Sequence, residues 1–430
     1  MKMAMAARAS LGSLARASTS ASARRVTTRR GAVPAWGSTA HPGPLRSVLG
    51  PASTRVYSTA SAVKVERADV LKDHPHNNVT ELIFEKIGRK LHREVDHPLG
   101  IIKSKITEYF ESVHPGEFEL LDDLHPVVTA HANFDSVLVP PDHVSRSMND
   151  TYYVDDSTVL RCHTSAHQAE LLAQGKVKFL AAGDVYRRDS IDCTHYPVFH
   201  QMEGVRVFES SEWEGSGMTG TQYAEKELRG ELEGLMKHLF GDVECRWVDA
   251  YFPFTEPSAE LEIFYQGEWL EVLGCGVMEK QILETAGKGD KEAWAFGLGL
   301  ERLAMVLFKI PDIRLFWTED KRFTSQFKAG QITEFKPYSK YPPCYKDVAF
   351  WISDSFTENN LCELVRGVGG DLVEEVKLID EFQNKKTGKT SHCYRIGYRS
   401  MDRSLENAEI DAIQETVREK LASELQVELR

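Results

Sequence analysis

Two arginines, each inside a long and unusual run of residues, constrain this chain more than any other feature. Arg187 lies in GDVYRRD at 183–189, and the segment THYPVFHQME follows at 194–203. Arg302 closes the run FGLGLER at 296–302. The first run is rich in β-forming residues, whereas glycines lead the second into an apolar helix pattern. Because a guanidinium presents a fixed fork of donors to phosphate oxygens, the two runs predict a β-rich site that binds a bent triphosphate.

Other phosphate-binding patterns in the sequence are incomplete. Residues 387–390 imitate the end of a P-loop, but Gln383 stands where that loop requires glycine. Gly297 and Gly299 imitate a dinucleotide-binding turn, but Arg302 replaces its last glycine. We therefore expect phosphate binding to depend on the arginines.

The two arginine runs resemble motifs 2 and 3 of the class II aminoacyl-tRNA synthetases. With YFPF between them at 251–254, the chain is similar to the organellar single-chain phenylalanyl-tRNA synthetases. This resemblance implies an α+β fold: a class II synthetase catalytic domain, with an antiparallel sheet flanked by helices, and a C-terminal ferredoxin-like anticodon-binding domain. It also implies activation of L-phenylalanine with ATP and Mg²⁺, and transfer of the acyl group to the terminal adenosine of tRNA(Phe).

Composition and patterning divide the chain into five predicted segments. They are a transit peptide at 1–57, an N-terminal extension at 58–95, the catalytic domain at 96–318, a linker at 319–335 and the anticodon-binding domain at 336–430. Within the last segment, the apolar pattern gives the order βαββαβ, which is typical of a ferredoxin-like domain.

Charge is distributed unevenly along the chain. Residues 1–65 contain no Asp or Glu but carry two lysines and eight arginines, as organellar transit peptides do. The alternative is a basic arm that binds nucleic acid. We predict import into the mitochondrial matrix, with the plastid stroma, or both organelles, left open. The rest of the chain, residues 66–430, contains 42 basic and 64 acidic residues and is therefore strongly acidic. Any tRNA must then bind through local basic patches. No apolar run approaches membrane-spanning length.

The resemblance assigns the nucleotide to a small set of residues. Arg187 is expected to hold the α-phosphate and the substrate carboxylate, and Arg302 to cover the adenine and reach the γ-phosphate. Phe199 is expected on the other face of the adenine, and His195 in a loop that closes over ATP. Glu271 is the first candidate for Mg²⁺ or the nucleotide, with Glu260 and Glu262 as further candidates, because Mg²⁺ prefers hard oxygen ligands shared with phosphates.

The resemblance also assigns an apolar slot with a polar end to phenylalanine. His163, Ser165 and Gln168 match a loop that binds the ammonium and carboxylate groups, and Gln201 and Glu203 match residues that hold the ammonium. The expected lining of the ring slot is Phe252, Phe254, Ala295 and Phe296, with Ala295 as its floor.

Basic residues among tyrosines in the C-terminal segment predict a surface for tRNA, since aromatics stack on unpaired bases and cations neutralise phosphate. The candidates are Lys336, Lys340, Lys346, Lys385, Lys389 and Arg395. The segment in the place of motif 1 lacks clear interface character, and we expect a monomer. Two other functions stay open at this point: a catalytically silent RNA-binding protein on the same scaffold, and a class II enzyme for another amino acid.

Overall fold

The computed structural model describes residues 64–338 and 341–430. The predicted transit peptide at 1–57, the beginning of the predicted extension and Lys340 lie outside these ranges. Among the described residues, no helix combines the length and the apolar character needed to cross a bilayer.

The described chain alternates short helices with strands and then repeats both in a smaller domain. Its α-helices are α1 Arg67–Val70, α2 Glu81–Phe84, α3 Pro98–Val113, α4 Ala130–Asn133, α5 Gln168–Ala173, α6 Ser210–Trp213, α7 Gly220–Phe240, α8 Lys280–Thr285, α9 Leu300–Phe308, α10 Lys321–Thr324, α11 Glu358–Gly369 and α12 Asn407–Glu424. Its 3₁₀ helices are Leu91–Arg93, Asp135–Val137, Val144–Arg146, Thr164–His167, Ile313–Trp317 and Gly370–Leu372. Its strands are β1 Glu119–Leu121, β2 Val127–Thr129, β3 Thr158–Leu160, β4 Lys178–Tyr186, β5 Val198–Phe208, β6 Glu244–Phe252, β7 Thr255–Tyr265, β8 Glu268–Met278, β9 Glu292–Gly299, β10 Cys344–Trp351, β11 Val373–Gln383, β12 Thr390–Tyr398 and β13 Glu428–Leu429.

The larger domain is built on a seven-stranded sheet in the order β1-β4-β5-β9-β8-β7-β6. Only the edge pair β1 and β4 is parallel, and the other neighbours are antiparallel. Successive side chains of a strand point to opposite faces. One face is covered by the two long helices α3 and α7, whose buried residues share a core with the sheet. The opposite face is covered in part by the short helices α5 and α8, which pack on Val205 and Ala295 in a separate apolar cluster.

The long helices begin where local capping groups satisfy their free N–H groups. At the start of α3, Nδ1 of His97 accepts the N–H of Leu99 at 3.2 Å, and Pro98 occupies the first helical position, where no N–H is needed. At the start of α7, Thr219 and Gln222 form a reciprocal capping box. Apolar periodicity in the sequence predicts helices at 101–113 and 223–240, and the structure confirms both, each beginning three residues earlier.

Residues 344–430 form the smaller domain, with the order β10-α11-β11-β12-α12-β13 and a four-stranded sheet arranged β11-β12-β10-β13. Helices α11 and α12 bury their apolar residues against one face of this sheet. The order βαββαβ predicted from the sequence is confirmed.

The predicted extension and linker both contribute to the large core. Val70 and Ile83, from the predicted extension, are fully buried in this core. Phe323 and Phe335, from the predicted linker, belong to the same core, and their ring centres lie 5.5 Å apart. The boundaries at 95 and at 319–335 stay predictions. Aromatic clusters of this kind have no helical or strand period, which is why the sequence pattern reads as polar linker.

The two domains meet at the loop between β4 and β5. Ile191 from this loop is buried in the core of the smaller domain. Around it, Tyr152 donates to Oε2 of Glu363 at 2.9 Å, and Arg366 donates to the carbonyl oxygen of Asp189 at 2.9 Å. The loop that carries His195 is therefore held in place by contacts with the smaller domain.

Candidate active site

The face of the seven-stranded sheet opposite α3 and α7 gathers most of the residues predicted for phenylalanine. In the ladder between β5 and β9, Glu203 pairs with Gly297 and Val205 pairs with Ala295, so these side chains share one face. A side chain added at Gly297 or at Gly299 would meet nothing within 4 Å. The glycines of motif 3 therefore leave open space directly beside Glu203.

Glu203 is the polar end of this space. It is 1% exposed, and its Oε2 accepts hydrogen bonds from Ser165 Oγ at 2.7 Å and from Gln168 Nε2 at 3.2 Å. Its Oε1 is buried without a partner among the described residues. Burial raises the pKa of Glu203 to about 7, against the opposing effect of these hydrogen bonds. A buried carboxylate with one unused oxygen is costly unless a donor arrives, and an ammonium group satisfies that need.

His163 lies on the same loop and stays neutral. Burial, followed by the nearby charge of Arg187, lowers the pKa of its imidazole to about 4. Its Nε2 lies 3.0 Å from the carbonyl oxygen of Asn133, which can only accept, so Nε2 carries the proton. Its Nδ1 is then a buried acceptor without a partner in the described chain.

Arg187 stands at the end of β4 with its guanidinium partly committed. Its Nε donates to the carbonyl oxygen of Cys162 at 2.8 Å, and its Cζ lies 5.0 Å from the centre of the Phe199 ring. Burial lowers the pKa of Arg187, but an arginine remains charged at neutral pH. Within the described ranges, no carboxylate lies within 4 Å of this guanidinium, so its terminal nitrogens remain for an anionic ligand.

Arg302 lies in the first turn of α9, is exposed, and has no carboxylate within 4 Å in the part of the chain that is described. Its charge acts on two predicted site residues, His195 and Glu260, which places all three in one neighbourhood. His195 is anchored by its Nδ1, 2.7 Å from Oδ2 of Asp192, and this hydrogen bond raises the pKa of the imidazole. The loop thus presents an imidazole whose protonated form is favoured by Asp192.

The three candidate metal ligands are not equivalent. Glu262 is buried, and its Oε2 accepts from Nε of Arg246 at 2.6 Å, so one carboxylate is already paired. Burial, and next the charge of Glu271, raise the pKa of Glu260. Glu271 pairs with Glu262 in the ladder between β7 and β8, and its charge also reaches Glu260. Neither Glu260 nor Glu271 has an ion pair with a described residue. Among residues 64–338 and 341–430, no group of three or more metal-binding side chains forms a ready-made site.

Phe252 and Phe254 flank the turn between β6 and β7 and stack with ring centres 5.8 Å apart at 8°. A side chain at Gly274, which pairs with Gly297 across the sheet, would come within 2.7 Å of Phe252. Phe254 packs against the cluster that contains Ala295. The two rings therefore border the glycine-lined space, and their predicted contact with a substrate ring stays a prediction.

Phe296 does not belong to this group. Because neighbours on a strand alternate, its side chain points to the face opposite Ala295, where it stacks on Phe110 with centres 5.8 Å apart at 12°. Its ring fills the space above Gly204, where an added side chain would be 2.3 Å away. The assignment of Phe296 to the phenylalanine slot is corrected accordingly.

Three of the five predicted tRNA-binding cations that the structure describes form ion pairs. Lys346 contacts Asp411 at 2.5 Å, Lys389 contacts Glu428 at 2.5 Å, and Arg395 contacts Asp347 at 2.8 Å. Lys336 and Lys385 are exposed. The predicted surface thus combines exposed lysines with solvent-facing ion pairs, which are weak individually.

Sequence reasoning missed two buried networks beneath the site. Arg161 donates from Nε to the carbonyl oxygen of Asp184 and from a terminal nitrogen to its Oδ1, both at 2.7 Å. Its other terminal nitrogen donates to Nε2 of His167 at 3.0 Å, which ties the Ser165 loop to β4. The second network joins His200 to Glu301. In the sequence, the signal that could have revealed both networks is the presence of charged residues within apolar runs.

Comparisons with known proteins identify the family of this chain. The chain matches the tRNA synthetases class II core domain (F) at 83–327 and the ferredoxin-fold anticodon binding domain at 339–430. It is 63% identical to the chloroplastic/mitochondrial phenylalanine--tRNA ligase of Arabidopsis thaliana, over 87% of this chain and 89% of that protein. It is 48% identical to the mitochondrial enzyme of Mus musculus (88% and 93% covered) and 40% identical to that of Saccharomyces cerevisiae (87% and 97% covered). The chain therefore belongs to the class II aminoacyl-tRNA synthetases, within the family of organellar phenylalanine--tRNA ligases.

Proposed function

We propose that this protein activates L-phenylalanine with ATP and transfers it to tRNA(Phe) for translation in an organelle. The observation that carries this proposal is Glu203, whose unused buried oxygen lies beside an open space bordered by Phe252 and Phe254. An amino acid with an aromatic side chain supplies both the ammonium and the ring that such a site needs.

In the first step, the substrate binds through its two charged groups. The ammonium donates to Glu203 Oε1, and the carboxylate lies against the guanidinium of Arg187. Ser165 and Gln168 keep the other oxygen of Glu203 occupied, so the carboxylate presents a single free acceptor. Gln201, on the same face of β5 as Glu203, is the further candidate for contact with the ammonium.

Activation follows as an in-line displacement at the α-phosphorus. A carboxylate oxygen of phenylalanine forms a bond to phosphorus, the bond from that phosphorus to the bridging oxygen breaks, and pyrophosphate leaves with the electron pair. Arg187 stabilises charge on the α-phosphate and Arg302 on the γ-phosphate, while Phe199 stacks on the adenine. Such catalysis consists of positioning and charge stabilisation.

Transfer to tRNA is an acyl exchange. A ribose hydroxyl of the terminal adenosine, the 2′-hydroxyl by analogy with the family, attacks the carbonyl carbon and gives its proton to a phosphate oxygen. AMP leaves with the electron pair of the broken bond. Deep burial keeps Glu203 shielded from solvent. It can hold the aminoacyl ammonium in place throughout both steps.

Mg²⁺ fits Glu260 and Glu271 better than Glu262. Burial, and next the charge of Glu271, raise the pKa of Glu260, so a cation beside Glu260 would be favoured, whereas Glu262 is already paired with Arg246. Mg²⁺ is commonly bound by one or two carboxylates together with phosphates and water. Bound there, it would neutralise charge on the triphosphate.

The smaller domain supplies the candidate surface for the anticodon. Its uncovered sheet face presents Tyr345, 53% exposed, and Phe382, 45% exposed, together with Arg395. Exposed aromatics next to cations suit unpaired bases. We also propose that the protein acts as a monomer, and that mitochondria, plastids or both receive it.

Phenylalanine-dependent exchange of pyrophosphate into ATP, measured on residues 58–430, tests the proposed function. We expect exchange with phenylalanine and charging of a tRNA(Phe) transcript, both lost in Arg187→Ala. Binding of tRNA without exchange would make the chain a silent RNA-binding protein. Exchange with another amino acid in preference to phenylalanine would show that the pocket is misassigned.

A further inference from the structure

His200 and Glu301 form a buried link between the two arginine motifs. Oε2 of Glu301 accepts the backbone N–H of His200 at 2.8 Å, and its Oε1 lies 2.7 Å from Nδ1 of the same residue. Both side chains are enclosed, with His200 fully buried and Glu301 2% exposed. The two residues are 101 positions apart in the chain, so the link joins β5 to the start of α9.

The link replaces a missing strand partner. The ladder between β5 and β9 ends at the pair Gln201 and Gly299, because the chain turns into α9 at Leu300. Beyond that pair, the N–H of His200 has no strand backbone on this side. The carboxylate of Glu301 accepts it instead, and so holds the outer end of β5 against the helix.

Neighbouring residues show what this arrangement fixes. Phe199, which stacks on Arg187, directly precedes His200, and Arg302 directly follows Glu301. The His200 ring is packed by Trp317, with centres 5.8 Å apart at 27°, so it cannot turn freely. Holding His200 and Glu301 together therefore sets the position of Phe199 relative to Arg302.

We infer that Glu301 is a positioning residue for the nucleotide: acting through His200, it fixes the distance between the ring and the guanidinium that bind the adenine of ATP. This inference rests on the proposed function, since it assumes that the space between Phe199 and Arg302 receives ATP. It predicts that substitution of Glu301 raises the KM for ATP and leaves the KM for phenylalanine nearly unchanged. A purely structural carboxylate would lower stability and affect both substrates alike.

Three substitutions at Glu301 provide the test, with pyrophosphate exchange as the assay. Glu301→Ala removes both acceptors, and we expect the KM for ATP to rise about tenfold or more, as for loss of charged hydrogen bonds. Glu301→Asp keeps the charge but is too short to reach both atoms, and should show a smaller rise. Glu301→Gln keeps the length of the side chain, with an oxygen that can accept the backbone N–H and a nitrogen that can face Nδ1 of His200, so it should restore near-native kinetics. The KM for phenylalanine should stay within about twofold in all three.

Glu231 offers a matched control, because it is also a buried glutamate that contacts a histidine, His114, at 2.6 Å. That pair lies between α3 and α7, on the covered side of the sheet. Glu231→Ala should lower the thermal midpoint without changing the ratio of the two KM values. If Glu301→Ala does not fold, Glu301→Asp decides the question by the same ratio.

The inference is overturned if Glu301→Ala and Glu301→Asp leave the KM for ATP unchanged, or raise both KM values in parallel. It is also overturned if Glu301→Gln is as impaired as Glu301→Ala. The proposed function fails separately, when the unsubstituted protein shows no exchange with phenylalanine. The two failures are therefore distinguishable.

Discussion

Replacing Glu203 by Gln should stabilise the ligand-free protein and greatly raise the KM of the enzyme for phenylalanine. The carboxylate is 1% exposed, and one of its oxygens has no partner in the described chain. In the absence of substrate, an ionised group in this position is a cost to folding. Gln has nearly the same shape and can still accept from Ser165, but it carries no charge.

The size of the effect follows from the pKa. Burial raises the pKa of Glu203 from its ordinary 4.5 to about 7. Since each pKa unit corresponds to about 1.4 kcal/mol, the ionised form costs up to about 3 kcal/mol well above pH 7. A carboxyl with a raised pKa binds its proton more tightly in the folded state. Its stabilising effect is therefore fully present below about pH 4.5 and is lost as the pH rises through 7.

Unfolding of the ligand-free proteins at two pH values gives the measurement. At pH 8, Glu203→Gln should be more stable than the unsubstituted protein by about 1–3 kcal/mol, and near pH 5 this gain should shrink towards zero. In pyrophosphate exchange, its KM for phenylalanine should rise on the order of 10²-fold, because the ammonium loses its only charged partner. Glu231→Gln, whose native carboxylate contacts His114, should show no gain at pH 8.

Two results would refute this reasoning. One is a Glu203→Gln protein that is no more stable than the unsubstituted protein at pH 8. The other is a gain that is the same at both pH values, which would mean that shape, and not ionisation, is responsible.

Other substitutions test the remaining parts of the site. Arg302→Ala should abolish exchange with little change in thermal midpoint, because the side chain is exposed and has no ion pair with the described residues; a large drop in midpoint would make it structural. Asp192 raises the pKa of His195, so the KM for ATP should rise as the pH increases through that raised pKa, and His195→Asn should flatten this dependence; an unchanged profile would exclude a role for the imidazolium. Ala295→Gly should admit para-substituted phenylalanines, and an unaltered substrate range would refute its place as the floor of the slot. Tyrosine should be activated only about 10²-fold less efficiently than phenylalanine, and a far larger factor in exchange would show that a polar group rejects the hydroxyl.

Features with a local cause could be predicted from the sequence. The βαββαβ order of the smaller domain follows from apolar periodicity, and the long helix at 223–240 follows from its apolar stripe. Residues of motifs 2 and 3 lie near one another in the structure because β5 and β9 are neighbours in the sheet. Glu203 and Ala295 reach the same face for that reason.

Features that depend on strand register or on distant partners could not be predicted from the sequence. Ala295 and Phe296 are neighbours in the sequence, which does not show which of them faces the site. The pairing of β5 with β9 places Ala295 on the face of the site and Phe296 on the face of the core. The link between His200 and Glu301 spans 101 residues. The acidic partner of Lys389 is likewise unpredictable, since Glu428 lies 39 residues away on β13.

The most direct test of the central claim is a crystal structure with a non-hydrolysable phenylalanyl-adenylate analogue. We predict that its ammonium lies about 3 Å from Oε1 of Glu203, with the phenyl ring beside Phe252 and Phe254 and the adenine between Phe199 and Arg302. An ammonium bound elsewhere, with Oε1 of Glu203 still unpaired, would contradict the claim.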